Sequence, residues 1–131
     1  MSQLPTTRPR FRAVIVHQSD GLRLALRGEL DMGTAPDLAK AVERAGRHAP
    51  RKIYLDASKV TFIDVAGARA LVEAAAQARA AGKSLKLERP SPAVRRVMRL
   101  LVAIPAAATT MENHGLIDWG TARLVTGDGL R

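Results

Sequence analysis

Two segments near the start of the chain have the residue pattern of β-strands. Leu22 to Arg27 alternates apolar residues with basic or small ones, which is typical of a strand with one buried face. Phe11 to His17 is a second apolar-rich run, and Gly21 lies between the two segments as a turn residue. We therefore predict that the two segments form a β-hairpin.

A helix is predicted between residues 34 and 49. Thr34 is a candidate N-cap, Pro36 lies in the first turn, where a missing N–H does no harm, and Pro50 ends the helix. The apolar face of this helix is expected to be Leu38, Val42 and Ala45. A short strand from Lys52 to Asp56 is expected to follow.

A second helix is predicted from about Val65 to Ala81, and Gly82 follows it as a helix breaker. Because alanine is frequent in this segment, the helix can approach a sheet closely. Its expected buried stripe consists of Ala68, Leu71, Val72, Ala75 and Ala78.

The pattern then predicts a strand from Leu85 to Glu88 and a third helix that Ser91 caps. The inward residues of this helix are expected to be Val94, Val97, Met98 and Leu101. Weaker patterns follow, with an edge strand in residues 106–111 and a final helix in residues 116–125.

This order of strands and helices predicts an α/β fold. We expect a single domain with a mixed sheet of four or five strands and helices packed mainly on one face. A chain of 131 residues is long enough for one such domain. The expected boundaries are a flexible arm at residues 1–10, the domain at 11–126 and a flexible tail at 127–131.

The formal net charge of +9 raises the question of nucleic-acid binding. The arginines are scattered along the chain, and aromatic residues make up only 3%, which is too few for base stacking. An acidic protein partner is therefore the better functional interpretation, although most individual arginines are expected to be solvated helix residues. The absence of cysteine, of a signal-like N-terminus and of a membrane-length apolar run leads us to expect a soluble, cytoplasmic protein.

Catalysis by this chain is not expected. His17, His48 and His114 are far apart in the sequence, and no pair has the spacing of metal ligands. The glycines form neither a dinucleotide-binding pattern nor a phosphate-binding loop. We therefore predict no catalytic residue, no metal site and no cofactor.

The segment from Val60 to Gly67 is the most informative part of the sequence. Its apolar residues lead into Asp64, which can accept backbone N–H bonds at the start of a helix. A helix N-terminus also suits a phosphorylated side chain. Val65 and Ala66 have no hydroxyl group, however, so no phosphate can be attached to either residue.

Together with three other segments, this one resembles the STAS family, the sulfate-transporter and anti-sigma-factor-antagonist domain. The resemblance extends from about residue 11 to about residue 112. The matching segments are similar to the end of the second strand, the central strand, the switch segment and the start of the third helix of the family. They are Gly28 to Asp31 with Thr34 and Ala35, Ile53 to Asp56, Val60 to Gly67, and Ser91 to Val97.

The resemblance implies an anti-sigma factor antagonist, which binds a kinase-like anti-sigma factor and so frees a sigma factor for transcription. In antagonists of the family the residue after the switch aspartate is the regulatory serine, and here that degenerate position is Val65. The usual phosphorylation control is therefore not expected. The partner-binding surface implied by the family is Asp31, Met32, Gly33, Thr34, Phe62, Ile63, Asp64, Val65, Ala66, Gly67 and Arg69.

Two alternatives remain open at the level of the sequence. Asp64 could serve only as a helix cap and Asp31 only as a turn residue, since a cap alone is worth about 1 kcal/mol. The chain could also be a STAS subunit of an ABC-type lipid or anion transport system. Fusion to a permease is disfavoured because the sequence contains no membrane segments.

Overall fold

Four strands form one mixed sheet in the order β1-β2-β3-β4. The computed structural model describes residues 10–49 and 51–102. Strands β1 (Phe11–Gln18) and β2 (Gly21–Leu30) form an antiparallel hairpin. Strands β3 (Lys52–Ile63) and β4 (Ser84–Glu88) continue the sheet in parallel with β2. The carboxyl ends of β2 and β3 therefore lie side by side.

Three helices connect or follow these strands. Helix α1 (Ala35–His48) joins β2 to β3, and α2 (Val65–Ala80) joins β3 to β4. Helix α3 (Pro92–Val102) follows β4. The side chain of Ser91 accepts a hydrogen bond from the N–H of Val94 at 3.2 Å, which confirms Ser91 as its cap. The described part of the chain thus has the predicted α/β fold, with three helices and a mixed sheet.

The helices cover one face of the sheet because the strand residues alternate between two environments. In β2, Leu22, Leu24 and Leu26 are buried in the core that the three helices share. Arg23 and Arg27, which alternate with these leucines, lie on the opposite face. The predicted helix faces are also confirmed, since Leu38 of α1, Leu71 of α2 and Met98 of α3 are all buried.

Two local predictions were wrong. The strand predicted to end at Asp56 continues to Ile63, with register shifts against β2 where the alternation is interrupted. Thr34 precedes α1, but its side chain makes no hydrogen bond to the helix because the hydroxyl bonds to the preceding loop. The strand and helix predicted at 106–111 and 116–125 lie outside the described residues.

Candidate functional site

Asp31 and Asp64 lie next to each other at one end of the sheet. They directly follow Leu30 and Ile63, which are partners in the parallel pairing of β2 with β3. The N–H of Asp64 also donates to the carbonyl of Leu30 at 3.4 Å. The fold therefore brings together the two acidic residues that the sequence singled out.

Asp64 is the N-cap of α2. Its Oδ1 accepts a hydrogen bond from the N–H of Gly67 at 2.8 Å, and its carbonyl accepts from the N–H of Ala68 at 2.9 Å. The first bond satisfies an N–H group of the first turn that has no partner within the helix, and the second is the first backbone bond of the helix itself. Capping alone thus accounts for this aspartate in structural terms.

Gly67 allows the start of α2 to lie directly against the end of β2. A Cβ at this position would be only 2.1 Å from the carbonyl oxygen of Leu30. No larger residue fits there without moving the helix. Gly67 therefore sets the position of the Asp64 loop relative to the Asp31 loop.

The loop from Asp31 to Thr34 is held by reciprocal hydrogen bonds. Asp31 Oδ1 accepts from the N–H of Thr34 at 3.1 Å, and the hydroxyl of Thr34 accepts from the N–H of Asp31 at 3.0 Å. The hydroxyl also donates to the carbonyl of Glu29 at 2.8 Å. Thr34 is 4% exposed, so its role is to shape this loop.

Arg10 is a member of the site that the sequence analysis missed. Its guanidinium forms ion pairs with Asp31 Oδ2 and, at 3.2 Å, with Glu29 Oε1. Its carbonyl accepts from the N–H of Glu29 at 2.7 Å, so the backbone of Arg10 is also held. The hairpin register pairs Phe11 with Gly28 and so places Arg10 beside Glu29, and the sequence alone does not fix this register.

Arg10 and the loop act together on the ionisation of Asp31. Partial burial works to raise the pKa of Asp31, but the hydrogen bond from the Thr34 N–H and the positive charge of Arg10 outweigh it. The pKa of Asp31 is therefore lowered from its ordinary value. The carboxylate stays ionised, with an arginine of its own chain as partner.

Large apolar side chains are exposed around the two aspartates. Met32 is 78% exposed, Phe62 48% and Val65 62%, and they account for three of the six exposed large hydrophobic residues that are described. Val65 is the first residue of α2, and Met32 directly follows Asp31. An exposed apolar group of this kind is a frequent mark of a protein-binding surface.

The predicted surface residues differ in how far they reach the solvent. Gly33 and Arg69 are also exposed, whereas Asp31, Asp64 and Ala66 are partly buried. Three residues that were predicted to belong to the surface are buried, so they hold the surface in place but cannot contact a partner directly. These are Thr34, Ile63 and Gly67.

A shallow groove of about 340 Å³ extends from Met32 between α1 and α2. Small residues form most of its walls, and polar side chains line the rest. The lining residues are Ala35, Pro36, Ala39, Ala70, Glu73, Ala74 and Gln77. The exposed apolar surface thus continues into a depression that a partner side chain can enter.

The described residues do not form a metal-binding cluster. No group of three or more His, Asp or Glu residues within residues 10–49 and 51–102 has the geometry of a metal site. His17 and His48 are exposed in β1 and at the end of α1, and His114 lies outside the described residues. No helix in the part of the chain that the structure describes is long and apolar enough to span a membrane.

The sequence matches a protein-family model over most of this fold. The model is described as "Mlab, STAS domain" and matches residues 14–102. The chain therefore belongs to the STAS domain family. No curated protein matches the chain significantly.

Solved structures with the same fold include proteins described as anti-sigma factor antagonists. One from Mycobacterium paratuberculosis has 21% identity and a TM-score of 0.59, with 82% of this chain and 99% of that chain covered. SpoIIAA in its unphosphorylated form has 17% identity and a TM-score of 0.56, with 82% and 100% covered. A STAS domain antagonist from Rhodobacter sphaeroides has 21% identity and a TM-score of 0.53, with 64% and 95% covered.

A further similar structure, described as Mglu, is a much longer chain. It has 24% identity and a TM-score of 0.52 over 60% of this chain, and the match spans only 20% of that chain. At these identities the likeness to solved structures establishes the fold that they share with this protein.

Proposed function

We propose that this protein is an anti-sigma factor antagonist that binds a kinase-like anti-sigma factor and so frees a sigma factor for transcription. The observation that carries the proposal is the exposed apolar group of Met32, Phe62 and Val65 beside Asp31 and Asp64. Three similar structures of the same fold are described as anti-sigma factor antagonists, which supports the proposal.

Binding through this surface would not be controlled by phosphorylation at the usual position. Val65 occupies the position after the switch aspartate, and neither it nor Ala66 carries a hydroxyl. A phosphate adds nearly two negative charges where it is attached. Without an acceptor, the surface keeps its apolar character, and the protein binds constitutively or under another form of control.

The absence of a hydroxyl at positions 65 and 66 also fits a second candidate function. A STAS subunit of an ABC-type lipid or anion transport system would need no phosphorylation switch. In that case the same surface would bind the ATPase of the transporter.

Affinity capture with a chosen set of variants separates the two functions. Purified wild-type protein and Met32→Asp would be used as baits, with Leu100→Asp as a matched control, because Leu100 is a large apolar residue that is 65% exposed on α3. Met32 is 78% exposed, so its replacement should not disturb folding.

We expect the wild type and the control to retain a kinase-like anti-sigma factor, and Met32→Asp to lose it. Recovery of a transporter ATPase with the same pattern would favour the second function, and equal recovery by all three baits would contradict both.

A further inference from the structure

Three cations lie in one row across the face of the sheet that the helices leave uncovered. Arg12 of β1 is paired with Arg27 of β2, and Arg27 is paired with Lys59 of β3. All three side chains are exposed. Neighbouring strands lie about 4.8 Å apart, so the three residues form a line of adjacent positive charges.

The carboxylates that flank this row on β2 and β3 have other partners. None of the three cations forms an ion pair or a side-chain hydrogen bond with another described residue. Glu29 and Asp31 are already paired with Arg10, and Asp56 accepts from Ser58 and lies 3.8 Å from Arg89. Like charges directly opposite each other on neighbouring strands destabilise a sheet. The row therefore lowers the stability of the free protein.

The neighbouring row on the same face is partly apolar. Val14 of β1 is 50% exposed and is paired with Ala25 of β2. A parallel sheet such as β2-β3-β4 is usually covered on both faces. Among the described residues, the helices cover the other face.

We propose that Arg12, Arg27 and Lys59, with Val14 beside them, form a second docking surface that binds an acidic segment of a partner protein. Charge complementarity points to this occupant. On a helix, side chains one turn apart are about 5–6 Å from each other, which is close to the spacing of the three cations. Carboxylates placed one turn apart can thus meet successive cations of the row.

Two other anionic partners fit this face less well. Single-stranded nucleic acid is bound by stacking on several aromatic residues, and the row itself contains none, since Tyr54 and Phe62 are paired with Arg23 and Glu29. A bilayer surface requires a larger apolar area than Val14 and Val16 supply. None of the four residues of the docking surface belongs to the surface around Asp64, although Phe62 of that surface lies close by through its pairing with Glu29, and the proposal does not depend on the proposed function.

The test uses Arg27→Glu with Arg96→Glu as its matched control. Both replace an exposed arginine with glutamate and lower the net charge equally, but Arg96 lies on α3. The probe is a labelled peptide rich in glutamate, and the same peptide with glutamine in place of glutamate serves as the neutral probe. Affinities are measured by fluorescence anisotropy, and amide chemical shifts locate the bound peptide.

We expect Arg27→Glu to lower the affinity for the acidic peptide by about tenfold or more, because the loss of one charged hydrogen bond changes the affinity by about that factor. Arg96→Glu should bind nearly as the wild type does, and the neutral peptide should not bind. Chemical shifts should change around Arg12, Val14 and Arg27. The melting temperature of Arg27→Glu should equal or exceed that of the wild type, because a repulsive row becomes an attractive one.

Three results would overturn the proposal. Equal losses of affinity in the two variants would show that the peptide responds only to net charge. A lower melting temperature for Arg27→Glu would show that Arg27 already has an acidic partner within the chain. Tighter binding of duplex DNA or of phosphatidylserine vesicles at the same residues would assign the face to a different class of partner.

Discussion

Ser58 and Thr61 carry the hydroxyl groups that most closely precede Asp64 in the sequence. Ser58 donates to Asp56 Oδ1 at 2.7 Å, and Thr61 donates to the carbonyl of Gly28 at 3.3 Å. Both hydroxyls therefore have structural roles.

We expect incubation with ATP and a kinase-like anti-sigma factor to leave residues 62–69 unmodified, because none of them has a hydroxyl group. Intact-mass analysis followed by peptide mapping measures this directly. A phosphate on Ser58 or Thr61 would show that phosphorylation control has moved to another position and has not been lost.

Asp56 should make the stability of the protein sensitive to acid. It is 8% exposed, and burial works to raise its pKa, but the hydrogen bonds from Ser58 and the charge of Arg89 outweigh this effect. The pKa of Asp56 is lowered from its ordinary value, so the folded state favours the ionised form. The resulting stabilisation is complete above the unfolded pKa of about 4 and is lost as the pH falls through the folded pKa.

Urea unfolding at a series of pH values tests this expectation with Asp56→Asn. The wild type should lose stability on acidification below about pH 4. The variant should lose less, because it lacks the carboxylate that takes up a proton when the protein unfolds in acid. The variant should also be less stable than the wild type near neutral pH. Parallel stability curves for the two proteins would contradict the role assigned to Asp56.

The position of helix α2 depends on a single residue near its start. Gly67→Ala would place a Cβ 2.1 Å from the Leu30 carbonyl oxygen, so α2 must shift away from β2. Gly46 in α1 provides the matched control, because a Cβ there meets no atom within 4 Å. We expect Gly67→Ala to lose on the order of 1–3 kcal/mol of stability. Gly46→Ala should gain roughly 0.5–1 kcal/mol from the better helix propensity of alanine.

Urea or thermal unfolding of both variants provides the measurement. Partner binding should also weaken in Gly67→Ala, since the shift of α2 moves Asp64 and Val65 relative to Asp31. Equal and small effects at the two glycines would show that α2 is not held by this close approach.

Cap and breaker residues were predicted correctly where no other group competed for the same hydrogen bonds. Ser91 caps α3 as expected, and Gly82 follows α2 with a positive φ of 79°. Thr34 was wrongly predicted to cap because its hydroxyl has better partners in Asp31 and Glu29, which only the folded loop brings near. The strand β3 was predicted too short because a register shift interrupts the alternation between Asp56 and Lys59.

For the whole molecule, the topology explains what the sequence could predict of the site. Asp31 and Asp64 each follow a strand, and parallel pairing of those strands puts the two residues at one edge. Arg10 and the row of Arg12, Arg27 and Lys59 were not predicted, because their neighbours are set by the register of strands far apart in the sequence. Alternation shows which residues share a face, but it does not show which residues are opposite each other.

The central claim is that the protein binds its partner through the surface around Asp64, and position 65 tests it most directly. Val65 is 62% exposed at the first position of α2, where a helix dipole favours a negative side chain, so Val65→Asp should melt near the wild type. In a complex, the same carboxylate would be desolvated beside Asp64. Val65→Ser is the control, since serine is the residue that the resemblance to the family implies at this position.

The deciding measurement is calorimetric titration of the captured partner with the wild type, Val65→Ser and Val65→Asp. We predict nearly equal affinities for the wild type and Val65→Ser, and a loss of about a hundredfold or more for Val65→Asp, because a desolvated like-charge contact costs several kcal/mol. Equal affinities for the wild type and Val65→Asp, with both proteins folded, would contradict the claim that the partner binds at this surface.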